Sequence, residues 1–204
     1  MAHFGPRGWW PADTATEMMV GAQLTQSVAW RNVETCLRRL KEADLLDWRS
    51  LHAAPEPLIE ELIRPSRYFR AKTRKLKSLA AHIVERHGGD LSHLFATPLL
   101  ELRRELLGVH GLGPETVDCI LVYAAELPSF VVDAYTRRIF SRLGYFDERI
   151  GYEAMRRFFS DRLPPDVPLF NEYHALIDAL GHHHCHPKAP KCDLCPLKDI
   201  CRGE

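Results

Sequence analysis

The chain has 204 residues, 46% of them hydrophobic, with 27 basic and 27 acidic side chains. That length supports one or two small domains with a real core. The balanced charge excludes a broadly cationic protein, so any nucleic-acid face must be local, and no apolar run approaches the length needed to span a bilayer.

The first residues, MAHFGPRGWWP, lack the apolar segment of a secretion signal, so an intracellular location is expected. Six cysteines in that setting read as metal ligands or buried thiols rather than disulfides. Helical patterns then follow one another with no convincing strand. Thr14-Ala-Thr-Glu17 forms a capping-box pattern ahead of a helix to about Ala29. Val33, Cys36, Leu37 and Leu40 continue with a period near 3.6 residues. Pro55, Pro57 and Pro65 delimit a short helix at 58–63. The spacing next predicts a helix over 72–86, stopped by Gly88-Gly89. Later helices are expected near 134–143, 152–163 and 170–181. Cys36 and Cys119 fall inside helical patterns and read as core thiols.

Arg64–Arg86 is the most basic stretch, with Arg70 and Lys72 among its cations and Tyr68 and Phe69 set between them. It is either a solvated helix face or a surface for the DNA backbone. Residues 106–118 contain a glycine hairpin, Gly108-Val109-His110-Gly111-Leu112-Gly113, that opens into a helix at Pro114. Its glycines permit positive φ and close approach of a partner. Gly113 suits the N-cap, and free N–H groups at such a helix start suit a phosphate. Val109 and Leu112 are spaced to anchor the turn. A plain helical corner is the alternative. Asp133 ends the apolar run Phe130-Val131-Val132, where it is either an N-cap or a functional acid.

Cys185, Cys192, Cys195 and Cys201 follow C-x6-C-x2-C-x5-C. Four thiolates in one loop can wrap a tetrahedral zinc ion or a cubane cluster. A zinc site commonly uses two close C-x-x-C pairs and this loop has one, so the spacing favours [4Fe–4S]. His186, Lys188 and Lys191 make a small cationic loop that could meet a phosphate. His182-His183-His184, just before the first cysteine, reads as a partly exposed helix end, with a metal site as the alternative.

Taken together, the hairpin L-x-G-V-x-G-L-G-P-E-T, Asp133 in F-V-V-D-A-Y-T and the cysteine spacing resemble the endonuclease III branch of the helix–hairpin–helix DNA glycosylases. The resemblance runs from about Trp9 to Cys201. It implies an all-α, two-lobed fold with DNA and a flipped base between the lobes. One lobe is a six-helix barrel over residues 17–128. The other joins residues 1–16 to 129–204 and carries the [4Fe–4S] loop at 185–201. It further implies a base-excision-repair enzyme acting as a monomer on double-stranded DNA that contains a damaged base. Such an enzyme would be cytoplasmic, at the nucleoid, and not in a membrane. Asp133 is then the catalytic acid. Gly108, His110, Gly111, Gly113, Arg70, Lys72, Lys188 and Lys191 meet the DNA backbone, while Gln23 and Tyr68 act as wedges in the opened duplex.

Bifunctional members of that branch carry a lysine directly before the threonine matching Thr116. Here the position holds Glu115. A carboxylate cannot form an imine with the sugar C1′, so a monofunctional glycosylase without abasic-site lyase activity is expected. W-W-P, L-T-Q, Trp30 and G-x-G-x-E-[ST]-x-D are similar to the 3-methyladenine DNA glycosylase III group, whose matching aromatics line the base pocket. That similarity puts Trp9, Trp10 and Trp30 around the flipped base, where an electron-rich pocket suits a cationic alkylpurine. Tryptophans serving as core anchors are the alternative at those positions. The other functional expectations are a glycosylase for uracil, mismatched thymine or oxidised pyrimidines, and a non-catalytic iron–sulfur protein that binds damage.

Overall fold

A computed structural model describes residues 2–8 and 10–201. All regular structure among them is helical: α1 Ala15–Leu24, α2 Trp30–Glu42, α3 Trp48–Ala53, α4 Glu56–Leu62, α5 Phe69–His87, α6 Leu91–Phe95, α7 Leu99–Leu107, α8 Pro114–Cys119, α9 Ala134–Arg142, α10 Tyr152–Ser160 and α11 Val167–His183. None of these helices is long and apolar enough to cross a membrane. The chain divides into two compact units, Pro11–Leu127 and Met1–Trp10 with Pro128–Glu204.

In the first unit, α1 is shorter than the pattern predicts. It ends at Leu24, and Thr25 turns its hydroxyl back onto the Gly21 carbonyl at 2.7 Å. Thr14 caps the Glu17 N–H as expected, but the Glu17 carboxylate accepts from Asp13 N–H at 3.0 Å, one residue outside the capping-box partner. Asp13 also meets Lys41 of α2 at 2.8 Å, which fixes this end of the chain to the first unit. The long α5 starts three residues before the expected Lys72. It packs on α1, α3 and α4 through Leu76, Leu79, Ala80 and Ile83. Its first turn is preceded by two non-glycine residues in the left-handed region, Arg67 at φ +55° and Tyr68 at φ +44°. That conformation is costly for side chains larger than Asn or Asp. It turns the chain sharply and leaves Tyr68 72% exposed.

The second unit packs α9 against α11. Its core is aromatic: Phe130 stacks on Phe159 with centroids 4.3 Å apart, and Phe140 meets Phe159 edge-on at 4.7 Å. Gly181 lets α11 approach α9 closely. A Cβ there would fall 2.3 Å from Tyr135 Cδ1 and 2.9 Å from Tyr135 Cβ.

Candidate active site and cluster loop

The hairpin joins α7 to α8. Val109 and Leu112 are buried and anchor it. Of its three glycines only Gly111 has positive φ, at +91°; Gly108 is right-handed helical and Gly113 is extended. Gly111 is also a contact glycine, since a Cβ would lie 2.3 Å from Lys75 Cγ. A Cβ on Gly113 would meet nothing within 4 Å, so packing of the chain does not require glycine there. Gly113 caps α8 with Pro114 as its first residue, and Val117 N–H reaches the Gly113 carbonyl at 2.9 Å. His110 and Glu115 are exposed, and Glu115 stands in the first turn of α8.

Two side-chain systems brace this motif. Arg103 of α7 grips Asp118 of α8 with two parallel bonds, Nε to Oδ1 at 2.8 Å and Nη2 to Oδ2 at 3.0 Å, and the Asp118 side chain is fully buried. Lys75 Nζ donates to Gln26 Oε1 at 2.9 Å, and Gln26 Nε2 donates to Thr116 Oγ1 at 3.2 Å. The Gln of L-T-Q and the Asp of G-x-G-x-E-[ST]-x-D therefore support the hairpin. Sequence reading missed Arg103, Lys75 and Gln26 in these roles.

Two expected DNA contacts lie in the interior instead. Lys72 is 3% exposed. Its ammonium donates to the carbonyls of Leu24 at 2.8 Å, Gln26 at 3.0 Å and Ser66 at 2.6 Å. Burial pulls its pKa down to about 8, so it is still charged at neutral pH. It ties the end of α1 to the turn before α5 and does not face solvent. Gln23 is 1% exposed, in the last turn of α1, with Nε2 on the Lys75 carbonyl at 3.4 Å. As folded it is a core amide, not a projecting wedge. Tyr68 and Arg70 do reach solvent, and Arg70 lies 3.6 Å from Glu60. Trp10 and Trp30 are half-buried and belong to different units. Trp9 lies outside the described residues.

Asp133 closes the extended segment before α9 and serves as its N-cap. Its Oδ1 accepts from Thr136 N–H and Thr136 Oγ1, each at 2.7 Å, and Thr136 Oγ1 accepts from Asp133 N–H at 3.2 Å. Capping thus occupies one carboxylate oxygen and fixes the rotamer. The other oxygen, Oδ2, lies 3.9 Å from Nε2 of the buried His174. Burial drives the His174 pKa down against the pull of Asp133 and Asp178, so this imidazole is neutral. Asp178, one turn further along α11, has its carboxyl pushed up by burial and then by the charge of Asp133. An acid, a neutral imidazole and a second carboxyl with weakened acidity form one constellation. Asp133 was legible as a lone acid. His174 and Asp178 carried no motif.

In the C-terminal loop, Cys185, Cys192, Cys195 and Cys201 line one cavity of about 360 Å³ with Arg142, His184, Pro190 and Lys198. Burial pushes the Cys195 thiol up, and the three neighbouring thiols push it further. Arg142 of α9 donates to Cys185 Sγ at 3.1 Å and to the carbonyls of His186 at 2.8 Å and Pro187 at 3.0 Å. A guanidinium beside clustered thiolates offsets their charge and holds the loop shape. The donor set, the convergence of the four sulfurs and the added cation all fit an iron–sulfur group. Lys188 and Lys191 are exposed on the same loop. His182 and His183 are exposed at the end of α11, while His184 is buried with Nε2 3.2 Å from Nε2 of His3.

The family model described as HhH-GPD superfamily base excision DNA repair protein matches residues 20–165. The chain belongs to that superfamily. A second model, the iron–sulfur binding domain of endonuclease III, matches residues 185–201, and the cofactor is accordingly a [4Fe–4S] cluster. A Methanocaldococcus jannaschii protein named for DNA repair glycosylase activity is 42% identical over 201 residues, covering 98% of this chain and 90% of its own. Endonuclease III of Bacillus subtilis is 22% identical over 192 residues, covering 94% and 81%. Among solved structures, a non-covalent endonuclease III–DNA complex superposes with TM-score 0.81 at 23% identity, covering 94% of this chain and 84% of that one. H. pylori 3-methyladenine DNA glycosylase (MagIII) bound to 1,N6-ethenoadenine gives 0.74 at 25% identity, covering 83% and 86%. This chain is a DNA glycosylase of the endonuclease III type.

Proposed function

We propose that this glycosylase is monofunctional. It hydrolyses the N-glycosidic bond of a flipped alkylated purine such as 3-methyladenine and leaves an intact abasic strand. The observation that carries the reading is Glu115, an exposed acid in the first turn of α8 where a lyase needs an amine. An amine nucleophile would link the enzyme covalently to C1′ and permit strand cleavage. A carboxylate cannot form that imine, so the proposal assigns attack on C1′ to water.

The chemistry then falls to Asp133. The C1′–N bond breaks with its electron pair leaving on the base. N3-alkylation already makes that base cationic, so it departs neutral without prior protonation. Oδ2 of Asp133, the oxygen not used in capping Thr136, opposes the charge developing on the sugar. It accepts the proton of the water that adds to C1′. The neutral His174 lies 3.9 Å from that oxygen and leaves its charge uncancelled, while Thr136 holds the carboxylate in place. The proposal keeps tryptophan stacking for the flipped base and assigns Tyr68, on its strained turn, to the opened duplex. Gly108, His110, Gly111, Gly113, Arg70, Lys188 and Lys191 contact the DNA backbone. The enzyme acts as a monomer on duplex DNA at the nucleoid. The [4Fe–4S] group, when bound by Cys185, Cys192, Cys195 and Cys201, supplies a cross-link that shapes the loop bearing the two lysines.

A second reading, a glycosylase for uracil, mismatched thymine or oxidised pyrimidines, has one observation in its favour: the fold match to endonuclease III is the higher of the two quoted, with TM-score 0.81 against 0.74. Duplexes carrying single lesions distinguish the readings. The proposal expects free 3-methyladenine to be released well above uracil, mismatched thymine or thymine glycol. Preferential release of a pyrimidine would replace the substrate class.

A further inference from the structure

The first unit holds a second cluster of metal-type donors, remote in sequence from the cysteines and not used in the glycosylase chemistry. His82 and His87 lie in the last two turns of α5, and Glu105 lies on α7. Both histidines aim Nε2 at the same carboxylate oxygen, Oε1 of Glu105, at 2.8 Å from His82 and 2.6 Å from His87. The donor atoms lie within 4.8 Å of one another. The three side chains are only 13%, 13% and 17% exposed. Beside them is a cavity of about 370 Å³ that Glu101, one turn back on α7, also lines. The cavity has room for water as the remaining ligand.

We propose that His82, His87 and Glu105 form a second metal site, for a zinc-class divalent cation, that pins the end of α5 to α7. Two imidazole nitrogens and one carboxylate oxygen are a donor set that suits zinc and its neighbours, not calcium or magnesium. In the metal-free protein both Nε2 atoms share hydrogen bonds with Glu105 Oε1, and a bound cation would take the place of those bonds. Arg86 and Arg104 also line the cavity. Arg86 stands 4.0 Å from Glu105 with its side chain 67% exposed, so solvent screens most of its repulsion toward a bound cation. The site has a structural consequence. α7 runs straight into Gly108, the first residue of the hairpin, so a metal between α5 and α7 would stiffen the support from which the hairpin projects.

The test uses cluster-loaded protein, so that the four cysteines are occupied, and Zn²⁺ alone as the probe. One equivalent is expected to bind and raise the melting temperature, with the imidazole nitrogen resonances of His82 and His87 shifting together in spectra of 15N-histidine protein. His87→Gln should weaken Zn²⁺ binding at least tenfold, and His183→Gln should leave it unchanged. If His87→Gln does not fold, the wild-type nitrogen shifts decide alone. Shifts confined to His182, His183 or His3, or no stoichiometric binding, would overturn the site and leave a purely hydrogen-bonded brace.

Discussion

Asp133 holds two positions at once, and the geometry separates them. Its Oδ1 caps α9, and its Oδ2 faces His174. Asparagine preserves a capping oxygen and removes the charge. Asp133→Asn should therefore keep the fold and the affinity for DNA while base release falls by about 10²- to 10⁴-fold, the usual worth of such a group. Single-turnover release alongside a binding titration checks this, and undiminished release would remove Asp133 from catalysis. Lys72 makes the opposite point. A lysine in a basic run reads as a DNA contact, but three inward carbonyls claim it. Lys72→Met should cost about 3 kcal/mol by leaving those carbonyls unpaired, with little direct effect on DNA contacts. The pH dependence follows from the sign of the shift. The folded-state pKa, about 8, lies below the ordinary 10.5, so between those values the unfolded chain binds more protons than the folded one. The contribution of this site to stability should rise across that interval. Denaturant melts of wild type and Lys72→Met at pH 8 and 10 should show the gap between them widening. A gap that narrows would contradict the assignment.

At the scale of elements, the α7–α8 hairpin is held by three fixed contacts. The Lys75 stem fills the space under Gly111, Gln26 bridges Lys75 to Thr116, and Arg103 locks α7 to α8 through Asp118. This arrangement distinguishes two glycines that look alike in the sequence. Gly111→Ala combines positive φ with a clash against Lys75 and should lower the melting temperature, at a cost of about 1–3 kcal/mol. Gly113→Ala meets no neighbour in the protein, so its melting temperature should hold while DNA affinity drops, because the added methyl obstructs close approach of the phosphate backbone. Melting curves and salt-controlled binding isotherms on both variants test the pair. Equal loss of stability in both would show that Gly113 serves the fold alone.

At the scale of the molecule, what was legible in the sequence depended on how local the signal was. The cysteine spacing, the hairpin anchors Val109 and Leu112, and the longer helices such as α5 and α11 were readable because spacing and periodicity encode them within a few residues, whereas the short α3 and α6 were not expected. Lys72 and Gln23 were misplaced because burial depends on what other helices bring, and a charge run does not reveal which of its members turns inward. Arg142, His174 and Asp178 were missed because each gains its role from a partner distant in sequence: Arg142 lies 43 residues from Cys185. The reading of Glu115 depends on its position relative to Thr116, and the proposed monofunctional chemistry rests on it. The most direct measurement is incubation of wild-type, cluster-loaded protein with duplex DNA carrying 3-methyladenine, with borohydride added to trap any imine and the strand analysed before and after hot alkali. The account predicts free base, a strand that breaks only after alkali, and no protein–DNA adduct. A trapped adduct, or cleavage before alkali, would contradict it.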